Sequence, residues 1–200
     1  MRHRMSMLLL AALAAAVLGC AGSPSPATPA PAGTSAIATP APAPAARFPT
    51  SNAPLARLVI PAIEIDQATV PGKLDAENAM LAPDKAFDIA YYDFSARPGQ
   101  GNAVFAGHLD YIHIGAAALW RLRDIRPGDE VQLQLADGMQ LRYRVTTNKL
   151  LDPTATKDWN TVLGQTGAPD EVTVVTCDGD FDSSTHEYSE RRVVQAVRIG

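Results

Sequence analysis

Glu130-Val131-Gln132-Leu133-Gln134-Leu135-Ala136-Asp137-Gly138-Met139-Gln140-Leu141-Arg142-Tyr143-Arg144-Val145-Thr146 alternates apolar and polar side chains on either side of an Asp-Gly pair. Successive side chains of a strand point to opposite faces, so this alternation builds a sheet with one buried face. Asp-Gly supplies the positive φ of a tight turn, and the stretch therefore predicts a β-hairpin of Glu130–Leu135 and Gln140–Thr146. Working outward, Arg57–Ile65 is β-branched and alternating, with Pro61 marking an edge or a bulge. Asn102–Gly107, Glu171–Thr176 and Arg192–Ile199 add three more short β-rich runs. Helical pattern is confined to Gly115–Leu122 and Lys157–Leu163, each two turns at most. Several short strands with few helices make the fold class all-β, a barrel or a sandwich.

Charge is unevenly spread. The 200 residues hold 17 Lys+Arg and 21 Asp+Glu, a net −4. Residues 55–200 carry 14 of those bases and all 21 acids, a net −7. That balance excludes a nucleic-acid binder, which would carry a basic stripe. At 146 residues the segment is large enough to bury a core without staples. Two cysteines, Cys20 and Cys177, allow one disulfide at most.

The leader reads as an address. Arg2, His3 and Arg4 form a basic start, and Met5–Leu18 is an uncharged, mainly apolar stretch of 14 residues. A membrane span needs about 20 apolar residues, so residues 1–20 read as a secretory signal. Val17-Leu18-Gly19-Cys20 resembles the bacterial lipobox, which implies lipidation of Cys20 and attachment to the membrane through the N-terminus. An ordinary signal peptide or a short uncleaved anchor would export the chain equally. Residues 21–54 hold nine prolines and one charged side chain, Arg47, and read as a disordered Pro/Ala-rich stalk. With Cys20 lidded by lipid, Cys177 is a lone thiol in an oxidising compartment, where disulfides are the rule.

Three ingredients of nucleophilic catalysis fall at ends of predicted strands: His108, Cys177, and Arg191 or Arg192. A thiolate attacks, and a neighbouring cation helps it form. An imidazole can protonate a leaving amine and deprotonate an incoming one. A guanidinium can hold an oxyanion or a substrate backbone. A cysteine in a strand serves more often as a small buried hydrophobe, so spacing alone does not decide.

The surrounding words do more. Ala103-Val104-Phe105-Ala106-Gly107-His108-Leu109-Asp110, Val174-Val175-Thr176-Cys177 and Arg191-Arg192-Val193-Val194-Gln195-Ala196 stand in the order and spacing of the bacterial sortases. Leu58-Val59-Ile60-Pro61-Ala62-Ile63 and Pro98-Gly99-Gln100-Gly101-Asn102 support the match, which spans residues 55–200. Gly107-His108-Leu109-Asp110 and the run Thr176-Cys177-Asp178-Gly179-Asp180 look most like the class F and class E members.

The resemblance implies a closed β-barrel of about eight strands. It also implies a cysteine transpeptidase that cuts an LPxTG-like sorting signal between Thr and Gly through a thioacyl-enzyme. By that resemblance Cys177 is the nucleophile, His108 the general acid and base, and Arg191 the group that orients the peptide. Thr176 and Arg192 are expected to bind substrate. The implied partners are surface proteins bearing the signal and an amine of a peptidoglycan precursor, met outside the cytoplasm at the cell wall. No cofactor is implied.

Two departures stand out. Ser189 occupies the position after Tyr188 where class F members carry the arginine, which leaves Arg191, with Arg192 in reserve. Family members usually keep a membrane helix rather than a lipobox-like leader. No Asp-Pro-Trp-type plug precedes the barrel, which favours anchoring over pilus assembly. An L,D-transpeptidase would need an S-H-G-C-x-R signature that this chain lacks. The competing reading is an inactive barrel lipoprotein that binds a partner in the envelope. His108, Asp110 and His113 could offer metal ligands, but no second cluster completes a site. Asp178, Asp180 and Asp182 begin like a calcium loop, but Ser183 and Ser189 replace its Gly and Glu. His186 is expected at the surface, and Trp120 and Trp159 in the packing of the barrel.

Overall fold

The computed structural model describes residues 48–164 and 170–200. The expected signal, the Cys20 lipidation site and most of the expected stalk lie outside the described residues.

Eight strands close into a barrel: β1 Leu55–Ile60, β2 Ile65–Pro71, β3 Ile89–Tyr92, β4 Asn102–Ala106, β5 Glu130–Leu135, β6 Gln140–Leu151, β7 Glu171–Asp182 and β8 Glu187–Arg198. They run in the order β1-β2-β3-β4-β7-β8-β6-β5, with β5 returning to β1. The pairs β2–β3 and β4–β7 are parallel. The all-β expectation holds, and closure leaves none of the eight with a bare edge.

The hairpin forms as predicted. Gln140 pairs with Gln134 and Arg144 with Glu130. In the turn, Gly138 takes φ +89°, and Gly138 N–H donates to the Leu135 carbonyl at 3.0 Å. Val131, Leu133, Leu141, Tyr143 and Val145 point into the barrel, where they meet Leu58, Ile60, Phe105, Val174 and Val194.

Elsewhere the elements differ from the sequence expectation. Arg57–Ile65 is not one strand. Pro61 has no N–H to give a ladder and its fixed φ opens a 3₁₀ turn, Pro61–Ile63. Glu64 then takes φ 55°, and β2 folds back against β1 with Ile60 opposite Ile65. The expected helix at Gly115–Leu122 is instead a short strand, Gly115–Ala116, paired with Asp110–Tyr111, followed by a 3₁₀ helix at Trp120–Asp124. The helix expected over Lys157–Leu163 shrinks to α1, Trp159–Val162, capped by the Asp158 carboxylate on Thr161 N–H. β7 and β8 run well past their predicted ends, because they pair with each other as far as Asp182 opposite Glu187.

Residues 48–54, assigned to the stalk from sequence, lie on the barrel. The Arg198 guanidinium sits over the Phe48 ring at 5.1 Å and donates to the Pro49 carbonyl at 2.9 Å. Among the described residues no helix is long and apolar enough to cross a membrane.

Candidate active site

The alternation of β7 and β8 decides which side chains share a face. Val172 and Val174 of β7 and Val194 and Ala196 of β8 belong to the barrel interior. Val175 and Val193 point outward, into a second apolar cluster with Val104, Leu151, Trp159 and Leu163. Two residues beyond Val175 stands Cys177, and two before Val193 stands Arg191. They therefore continue the outer face, and they are direct ladder partners. On the other side, β4 runs parallel to β7 with Ala106 opposite Val175, and Gly107 N–H donates to the Val175 carbonyl at 3.3 Å. Two residues past that pair stand His108 and Cys177, so the parallel ladder brings them abreast.

Cys177 is a free, half-buried thiol. Burial pushes its pKa up and the Arg191 charge pulls it down, while Glu187, Asp110 and Asp178 push it up again. On balance the thiol ends above its ordinary value. Arg191 is folded back on its own strand. It donates to the Tyr188 carbonyl at 2.8 Å, to the Glu190 carbonyl at 3.1 Å and to the Glu187 carboxylate at 2.9 Å. Tyr188 in turn donates its hydroxyl to Asp110 at 2.7 Å, tying β8 to the segment that follows His108. Burial first, then Asp110, pushes the Tyr188 phenol up to about 12. His108 Nε2 meets the Pro83 carbonyl at 2.7 Å, and the Tyr111 ring stands edge-on to the imidazole at 5.0 Å.

The two remaining site residues expected from sequence lie on the opposite face. Thr176 is buried and donates its hydroxyl to the Gly107 carbonyl at 2.9 Å, which fastens β7 to the residue before His108. Arg192 bonds Asp178 at 2.6 Å and Asn148 at 2.7 Å. Burial works against the Asp178 carboxylate, but hydrogen bonds from Arg192 and Gly179 N–H, with the charges of Arg192 and Arg123, hold its pKa below the ordinary value. The register thus sets Cys177 opposite Arg191 with His108 at the same level on the neighbouring strand, and it turns Arg192 to the other face.

A bulge follows the cysteine. Asp178 faces Glu190 and Phe181 faces Tyr188, so Gly179 and Asp180 share the single partner position of Ser189. Gly179 takes φ +84°, and a Cβ there would meet Ser189 Oγ. Ser189 accepts from Asp180 N–H at 2.9 Å. α1 packs over the outer face. Its end is held by the Asn102 amide on the Leu163 carbonyl and by Gln195, whose amide donates to the Val162 carbonyl at 3.0 Å. Thr173 donates to the other side of the Asn102 amide at 3.0 Å. A cavity of about 590 Å³ opens past Arg191, walled by Pro153, Thr154, Phe181, Glu187 and Tyr188. Another of about 330 Å³ opens at Pro83.

Among the described residues no group of three His, Cys, Asp or Glu side chains could hold a metal. Asp110 is engaged with Tyr188, and His113 sits exposed at φ 62° on a hairpin tip. His186 is exposed, edge-on to Phe181. Trp159 packs on the outer apolar cluster as expected, but Trp120 is 41% exposed with Arg123 stacked over it at 4.7 Å. Sequence reasoning did not single out Pro83, Glu187 or Asn102. Pro83 and Asn102 act on residues remote in sequence, which no local pattern announces, whereas Glu187 meets Arg191 four residues on along the same strand.

The comparisons with known proteins agree with this architecture. No curated protein matches the chain. The barrel is similar to sortase A from Corynebacterium diphtheriae (lid mutant), at TM-score 0.56 and 22% identity over 75% of this chain and 73% of that one. It is also similar to the sortase D5 transpeptidase of Clostridium perfringens, at TM-score 0.53 and 22% identity over 74% and 79% of the two chains. Sortase C-1 from Actinomyces oris gives TM-score 0.54 and 21% identity over 72% and 73%. The family model described as the Sortase domain matches residues 58–199, and the chain belongs to the sortase family.

Proposed function

We propose that this protein is an exported cysteine transpeptidase that cuts an LPxTG-like sorting signal between Thr and Gly and passes the acyl group to a cell-wall amine. The observation that carries the reading is the shared outer face of Cys177, Arg191 and the His108 segment, with a cavity lined by Arg191 beside it. Cys177 gives its proton to His108 and its sulfur attacks the Thr carbonyl carbon, forming a C–S bond. The tetrahedral oxyanion is stabilised by the Arg191 guanidinium, which leaves its internal carbonyl and carboxylate partners to meet it. His108 protonates the departing Gly nitrogen as the C–N bond breaks, leaving a thioester. It then takes a proton from the incoming amine, whose attack releases the sulfur. The leader places this chemistry outside the cytoplasm, tethered to the membrane through a lipidated Cys20 and a Pro/Ala-rich stalk.

The Arg191 guanidinium, held by two backbone carbonyls and the Glu187 carboxylate, favours a second reading, an inactive barrel that binds an envelope partner. A fluorogenic LPxTG or LAxTG peptide separates the two. Turnover by the unaltered chain, abolished in Cys177→Ala with the fold intact, supports the enzyme. Absence of turnover with any peptide or amine, and a thiol no more reactive than free cysteine at neutral pH, supports the binding module.

A further inference from the structure

His108 Nε2 lies 2.7 Å from the carbonyl oxygen of Pro83. A carbonyl oxygen only accepts, so the proton in this bond belongs to Nε2. In the neutral ring Nδ1 is then the bare nitrogen. A ring turned over about its Cβ–Cγ bond would set a carbon against that oxygen and lose the bond.

The acceptor is itself well anchored. Pro83 is buried, and its ring fixes the backbone φ. The next carbonyl, that of Asp84, accepts the Tyr111 hydroxyl at 3.0 Å. Two consecutive carbonyls are thus gripped by two rings that touch each other edge to face. Further along, Ala118 N–H donates to the Ala86 carbonyl at 3.0 Å, and Leu119 N–H donates to the His108 carbonyl at 2.9 Å. The strap 83–86 is thus bonded to the segment 108–119 at His108, Tyr111 and Ala118.

We infer that the Pro83 carbonyl is the positioning group that sets the tautomer of His108, so that Nδ1 is the nitrogen that takes and returns the proton. The inference rests on the transpeptidase reading above and names its working atom. The thiol proton moves to Nδ1 as sulfur bonds the carbonyl carbon, and the imidazolium keeps its Nε2–H on Pro83. Nδ1 gives that proton to the departing nitrogen as the C–N bond breaks, and accepts one from the second amine as the C–S bond breaks. Nε2 never exchanges its proton, and the Pro83 bond survives every step. A carbonyl in this place also accepts from the charged ring better than from the neutral one, because charge-assisted hydrogen bonds are the stronger kind.

The test is the tautomer. In the full chain labelled with ¹⁵N-histidine, long-range proton–nitrogen NMR reads both ring nitrogens, and His108→Asn identifies the His108 signals by their loss. In alkaline buffer His108 is expected as a single Nε2–H tautomer, while the exposed His113 and His186 show both. Pro83→Gly keeps the carbonyl but frees the backbone that aims it, and Tyr111→Phe releases the neighbouring Asp84 carbonyl. Both are expected to admit the second tautomer at His108 and to lower kcat/KM about tenfold, as small misplacements of a catalytic group do. A dominant Nδ1–H form or a mixture in the unaltered chain overturns the inference, as does a pure tautomer retained in both variants. Failure of the transpeptidase reading would look different, with absent turnover and the expected tautomer in place.

Discussion

Arg191 stands directly across the β7–β8 ladder from Cys177, whereas Arg192, its neighbour in sequence, points through the sheet to Asp178 at 2.6 Å. Adjacent residues of a strand face opposite ways, so one of the two arginines meets the nucleophile's face and the other secures the barrel end. Arg191→Ala is expected to lower kcat/KM by roughly 10²–10³-fold, the cost of one oxyanion donor, with little change in unfolding midpoint. Arg192→Ala leaves the 11%-exposed Asp178 carboxylate without its main partner and is expected to cost about 3 kcal/mol of stability. Peptide cleavage and urea unfolding on both variants decide it, and the reverse pattern would exchange their roles.

Glu187 holds Arg191 at 2.9 Å and also pushes the Cys177 thiol up. Glu187→Gln removes a negative charge beside the sulfur and leaves the Arg191 charge uncompensated. Both changes favour the thiolate. The apparent pKa read from the pH dependence of iodoacetamide alkylation is expected to fall in this variant. An unchanged or higher value would mean that Glu187 does not control the thiol.

Asp178 titrates below its ordinary value of 3.8 in the folded chain. The unfolded chain then binds its proton more readily than the folded one, so the pair contributes stability that is complete above that ordinary value. This stability is lost as pH falls through the folded pKa. Asp178→Asn is expected to be less stable at neutral pH and to lose less on acidification from there to below 3.8. Urea unfolding across that range checks it, and parallel curves for the two chains would remove Asp178 from the acid response.

Asn102 is 2% exposed, and its amide joins the Leu163 carbonyl to the Thr173 hydroxyl. Asn102→Ala orphans both and leaves only Gln195 to hold the end of α1. A loss of about 1–3 kcal/mol is expected, together with a higher KM for peptide. A destabilised variant with KM unchanged would show that α1 is not part of the peptide site.

Gly179 combines φ +84° with close neighbours, Ser189 Oγ and the Glu190 carboxylate, that an added Cβ would strike. Gly179→Ala is expected to slip the bulge two residues after Cys177 and to depress cleavage more than stability. Ser189→Gly in addition relieves the nearer collision but neither the one with Glu190 nor the backbone strain, so it restores activity only in part. Full recovery in the double variant would assign the whole effect to the nearer collision.

Much of the strand pattern was legible because period-two alternation is written locally. The hairpin over Glu130–Thr146 needed only its own residues and an Asp-Gly turn. The misread stretches had their outcome decided elsewhere. Polar Cys177–Asp182 has little strand character of its own, and it is extended because β8 pairs with it. Gly115–Leu122 carries alanines that favour a helix, but Gly115 and Ala116 pair with Tyr111 and Asp110 instead. At the site, His108, Cys177 and the two arginines stood out as strand-end residues able to do chemistry, and the resemblance to the sortases supplied their expected roles.

Sequence by itself determined the β class, the best hairpin and the short set of chemically able side chains, since each depends on residue type and near-neighbour periodicity. Only the tertiary structure decided which arginine shares the face of Cys177, which carbonyl holds His108, and which acids surround the thiol. Those answers depend on the parallel register of β4 with β7 and on a bulge at Gly179. Register between strands far apart along the chain is set by closing the barrel as a whole, and no local run of residues contains it.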